Sequence, residues 1–278
     1  MNSQAFRQSY GPWAVVTGAS EGIGRAFAEQ LAALGLNVVL VARRLDRLQA
    51  LADELRSRHC IDAQVIAADL SSEDALIEIE RVTASLDVGL LVASAGYGTS
   101  GPILAADLAR ERDMLAVNSF AVLRHSVTFG NRFAARGRGG MILMASIFGW
   151  QGVPQSAHYA ATKAYVQSLA EALRVELAPN GVDVLSCAPG PVSSGFAARA
   201  DIRMRVTVLP ETVARESLEA LGHRGTVIPG GLSKAMTYTL ALLPRTLRTR
   251  VLARVMGDMT RHQTTTSQPA VQPFSKSG

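Results

Sequence analysis

Seven short apolar runs punctuate this chain: Ala14–Thr17, Val38–Val41, Gln64–Ala67, Leu90–Ala93, Met141–Ala145, Asp183–Cys187 and Thr226–Ile228. Most are continuously apolar rather than alternating, the pattern a strand needs when both faces of its sheet are covered. Helical stretches separate them. Arg25–Gly35 stops at its glycine. Leu45–Arg58 gathers Leu45, Leu48, Leu51, Ala52 and Leu55 near one face, and Ala157–Ala178 repeats Val166, Leu169, Leu173 and Leu177 before Pro179-Asn180-Gly181 ends it. Strand–helix alternation of this kind predicts right-handed βαβ units and an α/β fold, a doubly wound parallel sheet of seven strands with helices on both faces. No repeat or linker divides the sequence, so residues 1–262 read as a single domain. Residues 263–278, rich in Thr, Ser, Gln and Pro, read as a disordered tail.

Composition narrows the function classes. With 48% hydrophobic and 18% charged residues, the chain has the apolar content to build a core and is not a disordered protein. Its two cysteines, Cys60 and Cys187, form no CxxC pair, and no Cys/His cluster has metal-ligand spacing, so neither a disulfide framework nor a metal site is expected. The polar opening Met1–Trp13 lacks the shape of a secretory signal and no stretch reads as a membrane span, which leads us to expect a cytoplasmic protein. The net charge of +5 is local: residues 232–262 hold six basic side chains against Asp258, so the rest of the chain nets zero and nucleic-acid binding is not expected. That segment reads as a basic helical extension broken at Pro244. Its second helix combines Leu247, Val251 and Val255 with four arginines. A solvated surface helix is the expectation, and weak contact with an anionic membrane surface the alternative.

The first strand runs into Thr17-Gly18-Ala19-Ser20-Glu21-Gly22-Ile23-Gly24 and then a helix. Glycines there let backbone approach a pyrophosphate, and the helix N-terminus supplies free N–H groups and a positive dipole end. The second strand ends Val41-Ala42-Arg43-Arg44, where a dinucleotide fold often carries a carboxylate for the adenosine ribose. Arg43 can instead make charge-assisted contacts with a 2′-phosphate, which favours NADP(H) over NAD(H). Glu21 runs against that preference, and Arg25 is a candidate to neutralise it.

Tyr159 and Lys163 stand four residues apart, on one helix face. An ammonium beside a phenol stabilises the phenolate, so Lys163 is expected to lower the Tyr159 pKa and fit it for proton transfer to or from a substrate oxygen. Ser146, at the end of the Met141–Ala145 strand, can hydrogen-bond that oxygen. Asn118 lies in an apolar helical stretch, placed to hold a water, and His158 reads as incidental.

Together these residues closely resemble the short-chain dehydrogenase/reductase family over roughly residues 12–230, in a branch similar to NADPH-dependent 17β-hydroxysteroid and 3-ketoacyl reductases. The resemblance implies a Rossmann-like fold with catalytic Asn118, Ser146, Tyr159 and Lys163. Thr17, Gly18, Ser20, Gly22, Ile23 and Gly24 would form the phosphate turn, with Arg43 at the 2′-phosphate, Asp69 and Leu70 at the adenine, and Ala95 and Gly96 at the ribose. Tyr159 and Lys163 would also touch the coenzyme, as would Pro189, Gly190, Val192 and Ser194 on the nicotinamide side. Ser94 departs from the family's NNAG motif, which here reads Ala93-Ser94-Ala95-Gly96, and so raises a question of local stability. The family implies no metal, and a homodimer or homotetramer.

Residues 192–209 then read as a mobile substrate lid over an apolar pocket, with Tyr97, Phe148 and Trp150 as candidate lining. The resulting expectation is an NADP(H)-dependent oxidoreductase that passes hydride between nicotinamide and a ketone or secondary alcohol of an apolar small molecule, reduction favoured. An NAD-linked alcohol dehydrogenase and a non-catalytic dinucleotide-binding regulator are the alternatives.

Overall fold

The structure is a computed structural model, described for residues 2–204 and 206–264. Strands β1 (Trp13–Thr17), β2 (Asn37–Ala42), β3 (Ala63–Ala67), β4 (Val88–Ala93), β5 (Gly139–Met144), β6 (Val182–Cys187) and β7 (Thr226–Val227) form one sheet in the order β3-β2-β1-β4-β5-β6-β7. Every pairing is parallel. All seven expected strands are present, shifted by a residue or two at their ends, and the α/β Rossmann-like fold is as the sequence predicts.

Continuous apolarity in the strands has the expected cause. Along β1, Ala14 and Val16 enter one core with Phe27 and Leu31 of α2 (Gly22–Ala33) and Leu48 and Leu51 of α3 (Leu45–His59). Val15 enters the opposite core with Ile79 of α4 (Glu73–Thr83), Phe129 of α6 (Ala121–Arg136) and Val166 of α7 (Ala157–Leu177). Neighbouring residues on a strand point to opposite faces, so burial on both sides demands unbroken apolar runs. Sheet order reverses between β1 and β4, and the crevice beyond their carboxyl ends is where such sheets bind ligands.

Three regions differ from expectation. Polar Met1–Trp13 contains a helix, α1 (Ser3–Tyr10), capped by Asn2, whose side chain accepts from Gln4 N at 3.0 Å. Its Phe6 and Tyr10, one turn apart, are buried with rings 4.8 Å apart, and Tyr10 donates to Asp183 Oδ2 at 2.7 Å. Gly140 of β5 makes room for that ring: a Cβ there would sit 2.9 Å from Tyr10.

Beyond α9 (Pro210–Ala220), the C-terminal extension forms α10 (Gly231–Ala241) and α11 (Arg245–Thr264), and it is not a solvated appendage. Leu252 and Met256 of α11 are buried against Ala200, Ile202 and Val153, whereas Leu247 is 42% exposed. The expected Leu247/Val251/Val255 stripe is therefore split: Leu247 lies largely open, Val255 lines a cavity, and Leu252 and Met256 are the residues the substrate loop covers. Gln263 lies inside α11, so the segment expected to be disordered opens within a helix, and residues 265–278 lie outside the described residues. Among the described residues no helix is long and apolar enough to cross a membrane.

Burial, then the Asp183 hydrogen bond, pushes the Tyr10 hydroxyl well above the ordinary tyrosine range. The folded state thus holds this proton more tightly than the unfolded chain, so the stability it contributes is complete below about pH 10 and is lost as the pH rises further. Tyr10→Phe should lower the unfolding free energy by about 1–2 kcal/mol at neutral pH. The gap to wild type should narrow at about pH 11, as read by urea denaturation at both values.

Candidate active site

The phosphate turn joins β1 to α2. Gly18 has φ +71°, and a Cβ there would stand 2.9 Å from Ala95 Cα, so the turn packs directly on the end of β4. Two hydrogen bonds hold that junction: Ala95 N donates to Thr17 Oγ1 at 3.1 Å, and Ser94 Oγ donates to the Thr17 carbonyl at 2.7 Å. Ser94 therefore ties the central strands together. Thr17 is buried behind the cleft and is not on its wall, unlike Gly18, Ser20, Gly22, Ile23 and Gly24. No side chain caps the start of α2, which leaves its first N–H groups free for an anion.

At the end of β2, Arg43 is exposed, lines the cavity, and has no ion-pair partner among the described residues. Arg44 instead pairs with Glu21 Oε2 at 2.6 Å and donates to Ser20 Oγ at 3.1 Å. Arg47 approaches the same carboxylate at 3.4 Å, and Arg199 binds its other oxygen. Burial alone would raise the Glu21 carboxyl, but hydrogen bonds from Arg44 and Arg199 outweigh it and hold the group below its usual range. Arg25 is not the neutralising partner; it pairs with Glu29 at 2.7 Å and Glu54 at 2.9 Å. Asp69 accepts from Ser71 N at 3.0 Å and Ser71 Oγ at 2.9 Å, and with Leu70 it lines the same cavity.

The chemical end is built where β5 meets α7. Ser146 follows β5 and accepts from Phe148 N at 3.2 Å, which fixes its hydroxyl at the start of a 3₁₀ turn, Ile147–Trp150. Tyr159 and Lys163, on the buried face of α7, line the cavity with Ser146. Lys163 Nζ donates to the Met144 carbonyl at 2.8 Å and lies 5.8 Å from the Tyr159 ring centroid. Desolvation controls both groups. It pushes the Tyr159 phenol up to about 12, with the Ser146 hydroxyl opposing, and brings Lys163 down to about 8. The expected depression of the phenol by Lys163 is not found, because burial of the ring dominates and the ammonium is engaged by a carbonyl.

Asn118 sits in a π-turn, Ala116–Phe120, between α5 (Leu108–Leu115) and α6. Its Nδ2 donates to the Tyr97 carbonyl at 2.9 Å and to Thr162 Oγ1 at 3.1 Å, and its Oδ1 accepts from Tyr97 N at 3.1 Å. The side chain thus staples the loop after β4 to α7 and does not reach the cavity wall. Gly96 lies between Asn118 and Lys163: a Cβ there would be 3.0 Å from Asn118 Oδ1 and 3.3 Å from Lys163 Nζ. Ring Nε2 of His158 lies 3.1 Å from the Glu111 carbonyl, a packing role away from the chemistry.

One cavity of about 860 Å³ joins these parts, with Ala95, Gly96, Pro189, Gly190, Val192 and Ser194 along its middle. Tyr97, Phe148 and Trp150 line it as expected. Val192 and Val208 bridge in parallel, with Val208 N donating to the Pro191 carbonyl at 2.8 Å, so the stems of the substrate loop are pinned together. Within that loop, α8 (Phe196–Arg199) sets the Phe196 ring 5.3 Å from Tyr159. The far wall comes from Leu240 of α10 and Leu252, Val255 and Met259 of α11, residues that sequence reading placed outside the site. Among the described residues no group of His, Cys, Asp or Glu could hold a metal ion.

Comparison with known proteins accords with this geometry. The family model described as short chain dehydrogenase matches residues 12–204. A 7β-hydroxysteroid dehydrogenase of Mediterraneibacter gnavus is 33% identical over 246 residues, 84% of this chain and 91% of that protein. A very-long-chain 3-oxoacyl-CoA reductase of Podospora anserina is 37% identical over 179 residues, 63% of this chain and 53% of that protein. A solved structure of a 7β-hydroxysteroid dehydrogenase superposes with a TM-score of 0.83 at 30% identity, covering 91% of this chain and 99% of the other. A family match across most of the sheet, on a chain whose glycine turn, Ser146, Tyr159 and Lys163 share one cavity, makes this protein a member of the short-chain dehydrogenase family of oxidoreductases.

Proposed function

We propose that this chain is an NADP(H)-dependent ketoreductase for apolar small molecules, interconverting a ketone and its secondary alcohol with reduction favoured. The observation that carries the reading is a buried phenol, Tyr159, held with Ser146 at the junction of a glycine-lined cleft and an apolar pocket. The residues present suit a dinucleotide: no side chain caps the start of α2, whose first N–H groups stand beside the glycine-lined cleft, and Arg43 is a cation with no ion-pair partner among the described residues at the proposed adenosine end. Bound there, nicotinamide would supply the hydride. Gly18, Gly22 and the start of α2 would hold its phosphates, Arg43 its 2′-phosphate, and Pro189 to Ser194 its nicotinamide end.

The protein side of the reaction follows from the pocket. Ser146 donates a hydrogen bond to the substrate carbonyl and polarises it. Because Tyr159 keeps its proton through the neutral range, it is poised as a general acid that protonates the developing alkoxide. Lys163, charged below about pH 8, supplies positive charge along the same helix face, and Asn118 holds the surrounding loop. Phe148, Phe196 and the α11 side chains exclude water and select apolar substrates. Hydroxysteroid and 3-oxoacyl substrates, named for its relatives, head the panel to be screened. Exposed Leu108, Phe120 and Val127 on α5 to α6 support self-association into a homodimer or homotetramer.

Tyr159→Phe should reduce turnover by about 10²–10⁴-fold while coenzyme still binds, measured by nicotinamide absorbance and by coenzyme fluorescence titration. Full activity in the variant would rule out the assigned proton donor, and a wild type that binds coenzyme but turns over no ketone or alcohol would favour the regulator alternative. Arg43→Asp removes a charge-assisted bond worth about 1.5–3 kcal/mol. NADP(H) affinity should therefore fall roughly tenfold to a hundredfold while NAD(H) affinity holds; an unchanged NADPH preference would remove Arg43 from the 2′-phosphate site.

A further inference from the structure

Glu21 is an acid in the part of the phosphate turn that would face a 2′-phosphate, where a carboxylate is electrostatically unfavourable. The structure shows what answers it. Oxygen Oε2 is shared by Arg44 at 2.6 Å and Arg47 at 3.4 Å, both from the entry to α3. The other oxygen, Oε1, is bound by Arg199, which is 178 residues away in sequence and closes helix α8 of the substrate loop. The contact is built into the backbone on both sides. A Cβ on Gly195 would lie 2.8 Å from both Glu21 Oε1 and Arg199 Nη1, so the glycine leaves room for the pair. Where a Cβ on Gly22 would stand, Ser194 Cβ is 3.0 Å away, so the loop stem rests on the phosphate turn itself. At the other end of α8, Phe196 packs against Tyr159 at 5.3 Å. One short helix therefore touches the proposed 2′-phosphate site through Arg199 and the proposed proton donor through Phe196.

We propose that Arg199 is a positioning residue for coenzyme discrimination: by holding Glu21 it turns the carboxylate away from the incoming 2′-phosphate and links closure of the substrate loop to that phosphate. This rests on the NADP(H) reading above. A phosphate dianion competes with Glu21 for Arg44 through charge-assisted hydrogen bonds and repels the carboxylate. Glu21 has a second cation to receive it, and its shift onto Arg199 tightens the loop with Phe196 over Tyr159. Linkage makes the effect reciprocal, so a closed loop raises affinity for the phosphate by the same factor. An exposed ion pair contributes little to overall stability, which is why the test reads discrimination between ligands and not melting temperature.

The experiment titrates the full chain calorimetrically with 2′,5′-ADP and with 5′-AMP, which differ in the 2′-phosphate alone and undergo no turnover. Wild type should prefer 2′,5′-ADP. Arg199→Met should lose about tenfold of that preference through weaker 2′,5′-ADP binding with 5′-AMP unaffected, Arg199→Lys should keep it, and Glu21→Gln combined with Arg199→Met should restore it. If wild type prefers 2′,5′-ADP and Arg199→Met retains the preference in full, or weakens both nucleotides alike, or is not rescued by Glu21→Gln, the inference fails and the NADP(H) reading stands. If wild type itself shows no preference, the NADP(H) reading fails and the inference falls with it.

Discussion

The site depends on how the carboxyl ends of β1 and β4 are held together. At a topological switch point the connections after the two neighbouring strands leave in opposite directions, and the crevice between them needs a closed floor. Here the two bonds between Thr17 and the Ser94-Ala95 segment do so, one from a backbone N–H and one from a hydroxyl. Ser94 in place of the family's asparagine is thus accommodated: its short hydroxyl reaches the Thr17 carbonyl. Gly18 can then pack against Ala95 because it carries no side chain, and the glycine turn and the Ala95–Tyr97 segment bound by Asn118 are held beside each other by that contact.

Burial sets the electrostatics at the chemical end. Burial from water pushes each titratable group toward its neutral form, so a phenol keeps its proton and an amine releases one more easily. Tyr159 and Lys163 both move that way, which makes the pair a protonated acid beside an amine brought down to about 8. That arrangement suits proton delivery to an oxygen gaining negative charge better than abstraction from an alcohol, and it agrees with the proposed direction of reaction.

The end of the cavity at Arg43 and Glu21 follows a different rule. There, half-exposed charges compete for partners, and the outcome turns on geometry more than on burial. Arg43 and Arg44 are adjacent in sequence yet differ in state: Arg44 is engaged by Glu21 and Ser20, and Arg43 is open to the cavity. Glu21 in turn reaches Arg199, so the substrate loop and the phosphate turn share one carboxylate. Helix α11 completes the enclosure from the other side, with Leu252 and Met256 packed on the loop that Arg199 anchors.

Strand number, strand direction and the two-sided core were legible in the chain because burial on both faces leaves an unbroken apolar run, and that signature is local. The glycine turn and the Tyr159/Lys163 spacing were legible for the same reason: each lies within a few residues. The docking of α1 was not, since Tyr10 finds Asp183 and the gap at Gly140 only after the sheet exists. Nor was the inward face of α11, because an amphipathic stripe shows which residues are apolar and not which surface will cover them. The partner of Glu21 was misread as Arg25, a near neighbour in sequence, when Arg199 lies closer in space. Local patterning decides which elements form, whereas pairing of charges, orientation of a terminal helix and the pKa of a buried phenol depend on contacts between residues far apart in the chain, and these exist only once the tertiary structure has closed.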